Sequence, residues 1–91
     1  MHFEWNDVKA SVNAQKHGVS FEEALSCFFD PLQVAFDDLD SSEHENREIL
    51  IGHSKLGRLL LVSYTVRKDV IRIISARKAT QREVKDYARG I

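Results

Sequence analysis

The chain is 91 residues long, with 43% hydrophobic and 30% charged residues, a composition that excludes a disordered chain and predicts one small domain over residues 1–91. No apolar run approaches the ~20 residues needed to cross a bilayer, and the N-terminus lacks the basic start and apolar segment of a secretory signal, so we expect a cytoplasmic location and no membrane partner. The net charge of -1 conceals a division, because residues 1–52 carry 3 Lys and Arg against 11 Asp and Glu, whereas residues 53–91 carry 10 against 3.

This division predicts a basic surface formed by the second part of the chain. A surface of that charge could bind a phosphate backbone. The two parts could equally neutralise each other across the fold, since solvated charged faces are common on small domains.

The first predicted helix runs from Asp7 to His17. Asn6 is a residue type that caps helix N-termini, and Gly18 is a type that ends helices in the left-handed conformation. Before this helix, Phe3 and Trp5 are expected to form an edge strand or to plug the core, with stacking on bases as the alternative use of their rings.

A second helix is predicted to begin after Ser20. Glu23 follows three residues later, a spacing typical of a capping box, and Asp30-Pro31 ends the helix because proline cannot continue the hydrogen-bonded ladder. Cys27 is expected to be a buried apolar thiol. An apolar stripe at helical spacing is predicted to face the core: Phe21, Ala24, Leu25, Phe28 and Phe29.

The acidic segment between residues 37 and 48 is predicted to be a solvated loop, and a metal site that combines its carboxylates with His44 is the weaker alternative. Three strands are predicted by the runs rich in Ile, Leu and Val that follow: Glu48–His53, Arg58–Arg67 and Val70–Lys78. A last helix begins at Thr80, where Glu83 completes a second capping box. This order predicts an α+β fold, a small antiparallel sheet with two N-terminal helices and a C-terminal helix.

The pair Lys68-Asp69 leaves a tight turn between the last two strands. A regular antiparallel ladder then predicts three cross-strand pairs: Arg67 with Val70, Thr65 with Arg72, and Leu60 with Arg77. The two-residue alternation of a regular strand would also place Arg77 and Ser75 on the side opposite Arg72.

Short motifs along nearly the whole chain occur in an order and spacing that are specific when taken together. In the first half these are residues 3–6 (FEWN) with Lys9, residues 16–24 (KHGVSFEEA), and Asp30-Pro31. In the second half they are residues 51–54 (IGHS), 57–60 (GRLL), Tyr64-Thr65 with Arg67, and 71–77 (IRIISAR) with Ala79 and Glu83. The series resembles the BrnT family of bacterial toxin ribonucleases. That resemblance implies a RelE-like fold, ribonuclease activity that halts translation, and a DNA-binding BrnA-type antitoxin that joins the toxin in a hetero-oligomer.

Cleavage of RNA without a metal requires a base for the 2′-hydroxyl, an acid for the leaving oxygen, and cations for the charge at phosphorus. Arg67 and Arg77 lie in motifs that match the family and are predicted to hold the phosphate, with surface ion pairs as the alternative. Histidine exchanges protons near neutrality, so His17 is a candidate catalytic residue, although a helix C-terminus also favours histidine for its dipole. Lys9 lies about 12 Å away on the same helix face and is predicted to stabilise RNA electrostatically. Ser75 is predicted to position the phosphate through its hydroxyl.

Further contacts to RNA are predicted from five side chains: Arg58, Tyr64, Arg72, Lys78 and Arg82. Tyr64 is alternatively a core residue whose hydroxyl reaches the surface. No cofactor and no metal are expected. The alternative function is a binding module that acts as a co-repressor with its antitoxin, since phosphate binding needs only charge. Cleavage of RNA in the presence of a chelator would distinguish the two.

Overall fold

The structure is a computed structural model that describes residues 2–38 and 46–90. In chain order it contains β1 (His2–Glu4), α1 (Asp7–His17), α2 (Phe21–Ser26), a 3-10 turn (Cys27–Phe29), β2 (Val34–Asp37), β3 (Arg47–His53), β4 (Leu59–Arg67), β5 (Val70–Lys78) and α3 (Gln81–Ala88). The strands form one sheet in the order β1-β5-β4-β3-β2. Every strand pair is antiparallel except β1 with β5, which is parallel. The predicted α+β fold is confirmed, and no helix within the described ranges has the length and apolar character needed to cross a bilayer.

Local capping signals set both ends of α1, as predicted. The side chain of Asn6 accepts a hydrogen bond from the backbone N–H of Lys9 at 3.0 Å. At the other end Gly18 adopts a φ of 68°, in the left-handed region that glycine reaches without strain, and its N–H donates to the carbonyl of Ala14. The helix therefore ends directly after His17.

The two predicted capping boxes have different outcomes. At α3 the box is complete, because Thr80 and Glu83 exchange both hydrogen bonds. At α2 the hydroxyl of Ser20 accepts from the N–H of Glu23 at 3.0 Å, but the expected return bond is replaced. The carboxylate of Glu23 is instead bound by Arg58 at 2.9 Å. Leaving a buried carboxylate without a charged partner costs more free energy than leaving a helix terminus without a second capping bond.

One face of the sheet packs against α2 and the 3-10 turn to form the core. The largest fully buried side chains there are Phe21, Leu50, Leu60, Ile73, Val19, Val62 and Cys27, and each large apolar group contributes roughly 1.5–3 kcal/mol by leaving water. Cys27 is buried as predicted, and burial raises the pKa of its thiol to about 12. Phe29 departs from the predicted stripe: it is 73% exposed, because the helix tightens into the 3-10 turn and rotates this residue away from the core.

The N-terminal aromatic residues have the structural role predicted for them. Phe3 lies in edge strand β1 and packs edge-on against Phe28, with ring centroids 5.1 Å apart. Trp5 packs in the same way against Phe21 at 5.9 Å. Both rings are engaged with the core and are not presented as stacking platforms for bases.

A β-bulge changes the register that a regular ladder predicts. Arg67 pairs with Val70 and Thr65 with Arg72, as expected, but the register shifts at Ser63/Tyr64 so that Ile74 is the extra residue. The predicted pairing of Leu60 with Arg77 is therefore wrong, since Leu60 pairs with Lys78. The predicted separation of Ser75 and Arg77 from Arg72 is also wrong, because an extra residue reverses the side-chain alternation beyond it.

Strand β2 was not anticipated from the sequence. Its sequence, VAFD, lacks the alternation of apolar and polar residues that identifies a strand, and its four residues are all exposed. It pairs with β3 and ends at Asp37. The rest of the predicted acidic loop between the two strands, including His44, largely lies outside the described residues, and so does the alternative metal site.

Candidate functional site

The face of the sheet opposite α2, which we call the open face, collects most of the predicted site residues. Alternation along β4 and the bulge in β5 place on it, among others, the side chains of Leu61, Ser63, Thr65, Arg67, Arg72, Ser75 and Arg77. Directly opposed residues on antiparallel strands have Cα atoms roughly 4.5–5.5 Å apart. Ser63 and Ser75 therefore lie side by side, as do Thr65 and Arg72.

A groove of about 820 Å³ crosses one end of the open face. Its charged lining consists of five cations and one carboxylate: Lys9, Arg47, Arg67, Lys68, Arg72 and Glu4. We call this the arginine groove. Glu4 accepts a hydrogen bond from Arg72 at 2.8 Å, but both side chains are about half exposed, at 51% and 46%. Water screens such an exposed pair strongly, and most of the charged side chains that line the groove within the described residues are cationic.

A smaller pocket of about 90 Å³ is lined by polar residues from three elements together with apolar neighbours. His17 comes from the end of α1, Ser63 from β4, and Ser75 and Arg77 from β5. We call it the His17 pocket. It brings an imidazole, two hydroxyls and a guanidinium to one place on the surface.

A buried asparagine fixes α1 beside this site. Asn13 is 6% exposed, and its Nδ2 donates to the carbonyls of Ala76 at 2.8 Å and Val19 at 3.0 Å, while its Oδ1 accepts from the N–H of Ala76 at 3.1 Å. Asn13 thus occupies the edge of β5 beyond the end of β1, where a neighbouring strand would otherwise bind. Lys9 and His17 lie four residues before and after it, on one stripe of the helix. The contacts of Asn13 with β5 therefore position Lys9 at the arginine groove and His17 at the His17 pocket.

Arg77 is held by a bidentate ion pair. Its Nη1 and Nη2 atoms donate to the two carboxylate oxygens of Glu83, each at 2.9 Å. These hydrogen bonds, together with the one from the N–H of Thr80, lower the pKa of Glu83 to about 2 in spite of its partial burial. Glu83 therefore stays ionised at any physiological pH, and Arg77 stays paired with it in the absence of substrate.

Four of the predicted RNA-binding residues lie away from the open face. Arg58 is bonded to the buried carboxylate of Glu23, and its hydrogen bonds hold the pKa of Glu23 below the ordinary value. Tyr64 packs in the core, and burial raises the pKa of its hydroxyl, which donates to Glu48, to about 12. Lys78 is opposite the core residue Leu60, and Arg82 is exposed on α3.

Several residues of the site were missed or given another role from the sequence. Arg47 was assigned to the acidic loop, although it begins β3 and lines the arginine groove. Glu83 was recognised only as a helix cap. Asn13 did have a signal, since it is a polar residue midway between Lys9 and His17 on the same helical stripe.

Comparison with known proteins identifies the family and the fold of the chain. The family model described as ribonuclease toxin, BrnT, of type II toxin-antitoxin systems matches residues 5–83. The crystal structure of the Brucella abortus ribonuclease toxin BrnT is similar, with a TM-score of 0.60 and 25% sequence identity, over 89% of this chain and 99% of that one. A search of curated proteins finds no match. The chain therefore belongs to the BrnT family of ribonuclease toxins of type II toxin-antitoxin systems.

Proposed function

We propose that this protein is a metal-independent endoribonuclease that binds RNA on the open face and inhibits translation by cleaving it. The observation that carries the proposal is the convergence of Lys9, His17, Arg67, Ser75 and Arg77 on that face. These residues come from α1, β4 and β5 and are up to 68 positions apart in the sequence. They line two neighbouring cavities whose charged side chains, among the described residues, are mostly cationic.

In the proposed reaction the 2′-hydroxyl of one nucleotide attacks the adjacent phosphorus. A base removes the proton of the hydroxyl, a new bond forms between the 2′-oxygen and phosphorus, and the bond from phosphorus to the 5′-oxygen breaks. An acid supplies a proton to that leaving oxygen. The products are a 2′,3′-cyclic phosphate and a 5′-hydroxyl, and extra negative charge develops on the phosphate oxygens as the 2′-oxygen attacks.

The His17 pocket contains a guanidinium and hydroxyls that could hold the phosphate, and an imidazole for one of the two proton transfers. Arg77 neutralises the phosphate oxygens, and the hydroxyl of Ser75 donates a hydrogen bond to one of them. His17 is assigned one of the two proton transfers, because imidazole both gives and takes protons near neutral pH. The arginine groove, with Lys9, Arg67 and Arg72, binds the phosphates that flank the scissile one.

Product analysis tests this proposal. Purified protein is incubated in EDTA with an RNA and with the same sequence methylated at every 2′-oxygen. The proposal expects cleavage of the RNA alone, with 2′,3′-cyclic phosphate and 5′-hydroxyl ends. Arg67→Ala should lose most of the rate, whereas Lys55→Ala, which removes an exposed cation elsewhere, should keep it. Loss of cleavage in EDTA and its recovery with Mg²⁺ would contradict metal independence, and binding without any cleavage would favour the co-repressor alternative.

A type II family implies an antitoxin partner, and we propose that a BrnA-type antitoxin covers the open face. The charged lining of the arginine groove is mostly cationic, and an inhibitor that fills it blocks the substrate directly. An acidic, amphipathic antitoxin segment would also associate fast through electrostatic steering. Its on-rate should fall steeply as added salt shortens the Debye length from about 30 Å to about 8 Å.

Hydrogen exchange of the toxin with and without antitoxin tests the position of the partner. Protection is expected in β4 and β5, within residues 58–89. Protection confined to residues 37–48 would show that the antitoxin inhibits from a distance.

A further inference from the structure

The pair between Arg77 and Glu83 leaves one edge of the guanidinium unused. Glu83 accepts hydrogen bonds from the end of the guanidinium, where Nη1 and Nη2 lie. Nη1 also donates to the carbonyl of Lys78 at 3.2 Å. Arginine has five N–H donors in a fixed planar fork. The hydrogen on Nε and the second hydrogen on Nη2 have no acceptor among residues 2–38 and 46–90, and together they form the lateral edge of the group.

Such a lateral edge is a bidentate donor for two oxygens of one phosphate. Arg77 lines the His17 pocket beside Ser75, so this edge belongs to the group that the proposed chemistry uses. Glu83 is itself rigidly placed. Its Oε1 accepts from the backbone N–H of Thr80 at 2.8 Å, which fixes the carboxylate to the first turn of α3.

We propose that Glu83 is a positioning residue for RNA cleavage, holding the end of the Arg77 guanidinium so that its lateral edge is presented to the scissile phosphate. This inference rests on the proposed function of the open face. Glu83 does not touch the reacting atoms. It orders a long, flexible side chain before substrate binds, so that less conformational freedom is lost in the transition state.

Single-turnover cleavage of RNA by a set of variants tests the inference. Glu83→Ala should lower the rate at saturating RNA by up to about 100-fold, the loss that a misplacement of about 1 Å can cause. Glu83→Gln, which keeps an oxygen acceptor for Arg77, should recover part of that loss. In an Arg77→Ala background Glu83→Ala should have no further effect on the residual rate, because the two residues act as a unit.

Thr80→Ala is the matched control, because it removes the reciprocal half of the capping box and leaves the carboxylate on Arg77. A purely structural role for Glu83 predicts equal losses of cleavage in Thr80→Ala and Glu83→Ala, and additive losses with Arg77→Ala. Either result would overturn the inference. So would faster cleavage by Glu83→Ala, which would mean that Glu83 competes with the phosphate for Arg77.

A second measurement does not depend on cleavage. Titration of the ¹⁵N-labelled protein with inorganic phosphate should move the Nε–H resonance of Arg77, and Glu83→Ala should reduce that response severalfold. A parent protein that cleaves no RNA but shows this loss would refute the proposed function and its role for Glu83 in cleavage, and would leave Glu83 as a residue that orients Arg77 toward phosphate. An equal phosphate response with and without Glu83 would refute the positioning role even if the parent cleaves RNA.

Discussion

Asn13 connects the stability of the fold to the geometry of the site, and its replacement by alanine should damage both. The substitution leaves three backbone groups of Ala76 and Val19 without their partner in a region where the residue is 6% exposed. Each buried polar group left unpaired costs about 1–3 kcal/mol. Because the shorter alanine side chain leaves a space at the sheet edge that water can enter, we expect a total loss of about 3 kcal/mol, at the low end of the sum for three groups. For a domain of this size that corresponds to a fall of about 15 °C in melting temperature.

Thermal denaturation followed by circular dichroism measures the first effect, and RNA cleavage well below the melting temperature measures the second. Gln15→Ala, an exposed position on the same helix, is the control and should change neither. Cleavage by Asn13→Ala should also fall, because Lys9 and His17 lose their fixed position beside β5. A melting temperature within 3 °C of the parent would refute the claim that Asn13 holds α1 to the sheet. If the variant is destabilised but cleaves RNA normally, Asn13 stabilises the fold without positioning Lys9 and His17 for cleavage.

Three further predictions concern charged and titratable groups. The pKa of Glu83 is depressed from 4.5 to about 2 in the folded state, so its pairing stabilises the fold fully above pH 4.5 and is lost as the pH falls toward 2. Because the Arg77 side chain is 41% exposed, solvent screens the pair and limits its contribution to the free energy of unfolding to on the order of 1 kcal/mol. Melting curves should therefore separate Arg77→Ala from the parent at pH 7 and bring them together near pH 2; an unchanged gap would contradict the assignment. Arg67 is exposed and has no partner among the described residues, so both Arg67→Ala and Arg67→Lys should abolish growth inhibition while stability changes by less than about 0.5 kcal/mol. Lysine keeps the charge but lacks the planar fork that binds two phosphate oxygens, so a fully toxic Arg67→Lys would rule out such two-oxygen binding by Arg67. His17→Gln should reduce cleavage at least about 100-fold and lower stability by only about 0.5–1 kcal/mol, whereas unchanged cleavage would leave His17 as a helix-dipole partner alone.

Features that depend on neighbouring residues in the sequence were predictable, and features that depend on distant ones were not. The ends of α1 and α3 follow from capping by Asn6, Gly18 and Thr80, which act over three or four residues. The bulge at Ile74 depends on how β5 pairs with β4 and β1, and no residue type within β5 predicts it. Its effect on the site is large, since without it Ser75 and Arg77 would lie on the face covered by α2.

The same distinction applies to individual side chains of the site. Helical spacing alone indicated that Lys9 and His17 share a face of α1 and lie too far apart to act on one proton. The partners of Arg58 and Arg77 could not be read in this way, because a cation in a strand gives no sign of whether it faces a carboxylate or solvent. Glu23 and Glu83 occupy the same position in two similar capping motifs, yet one is buried beneath Arg58 and the other binds the arginine of the proposed active site.

The central claim is that RNA lies on the open face, and the arginine side chains report on it directly. Titration of the ¹⁵N-labelled protein with a 2′-O-methylated oligonucleotide, which binds but lacks the attacking hydroxyl, can be followed through the Nε–H resonances. We predict that the resonances of Arg67, Arg72 and Arg77 shift together, while that of Arg58, bound to Glu23 on the other side of the sheet, stays in place. Shifts of Arg58 or of Arg82 on α3, with Arg67, Arg72 and Arg77 unmoved, would contradict the claim.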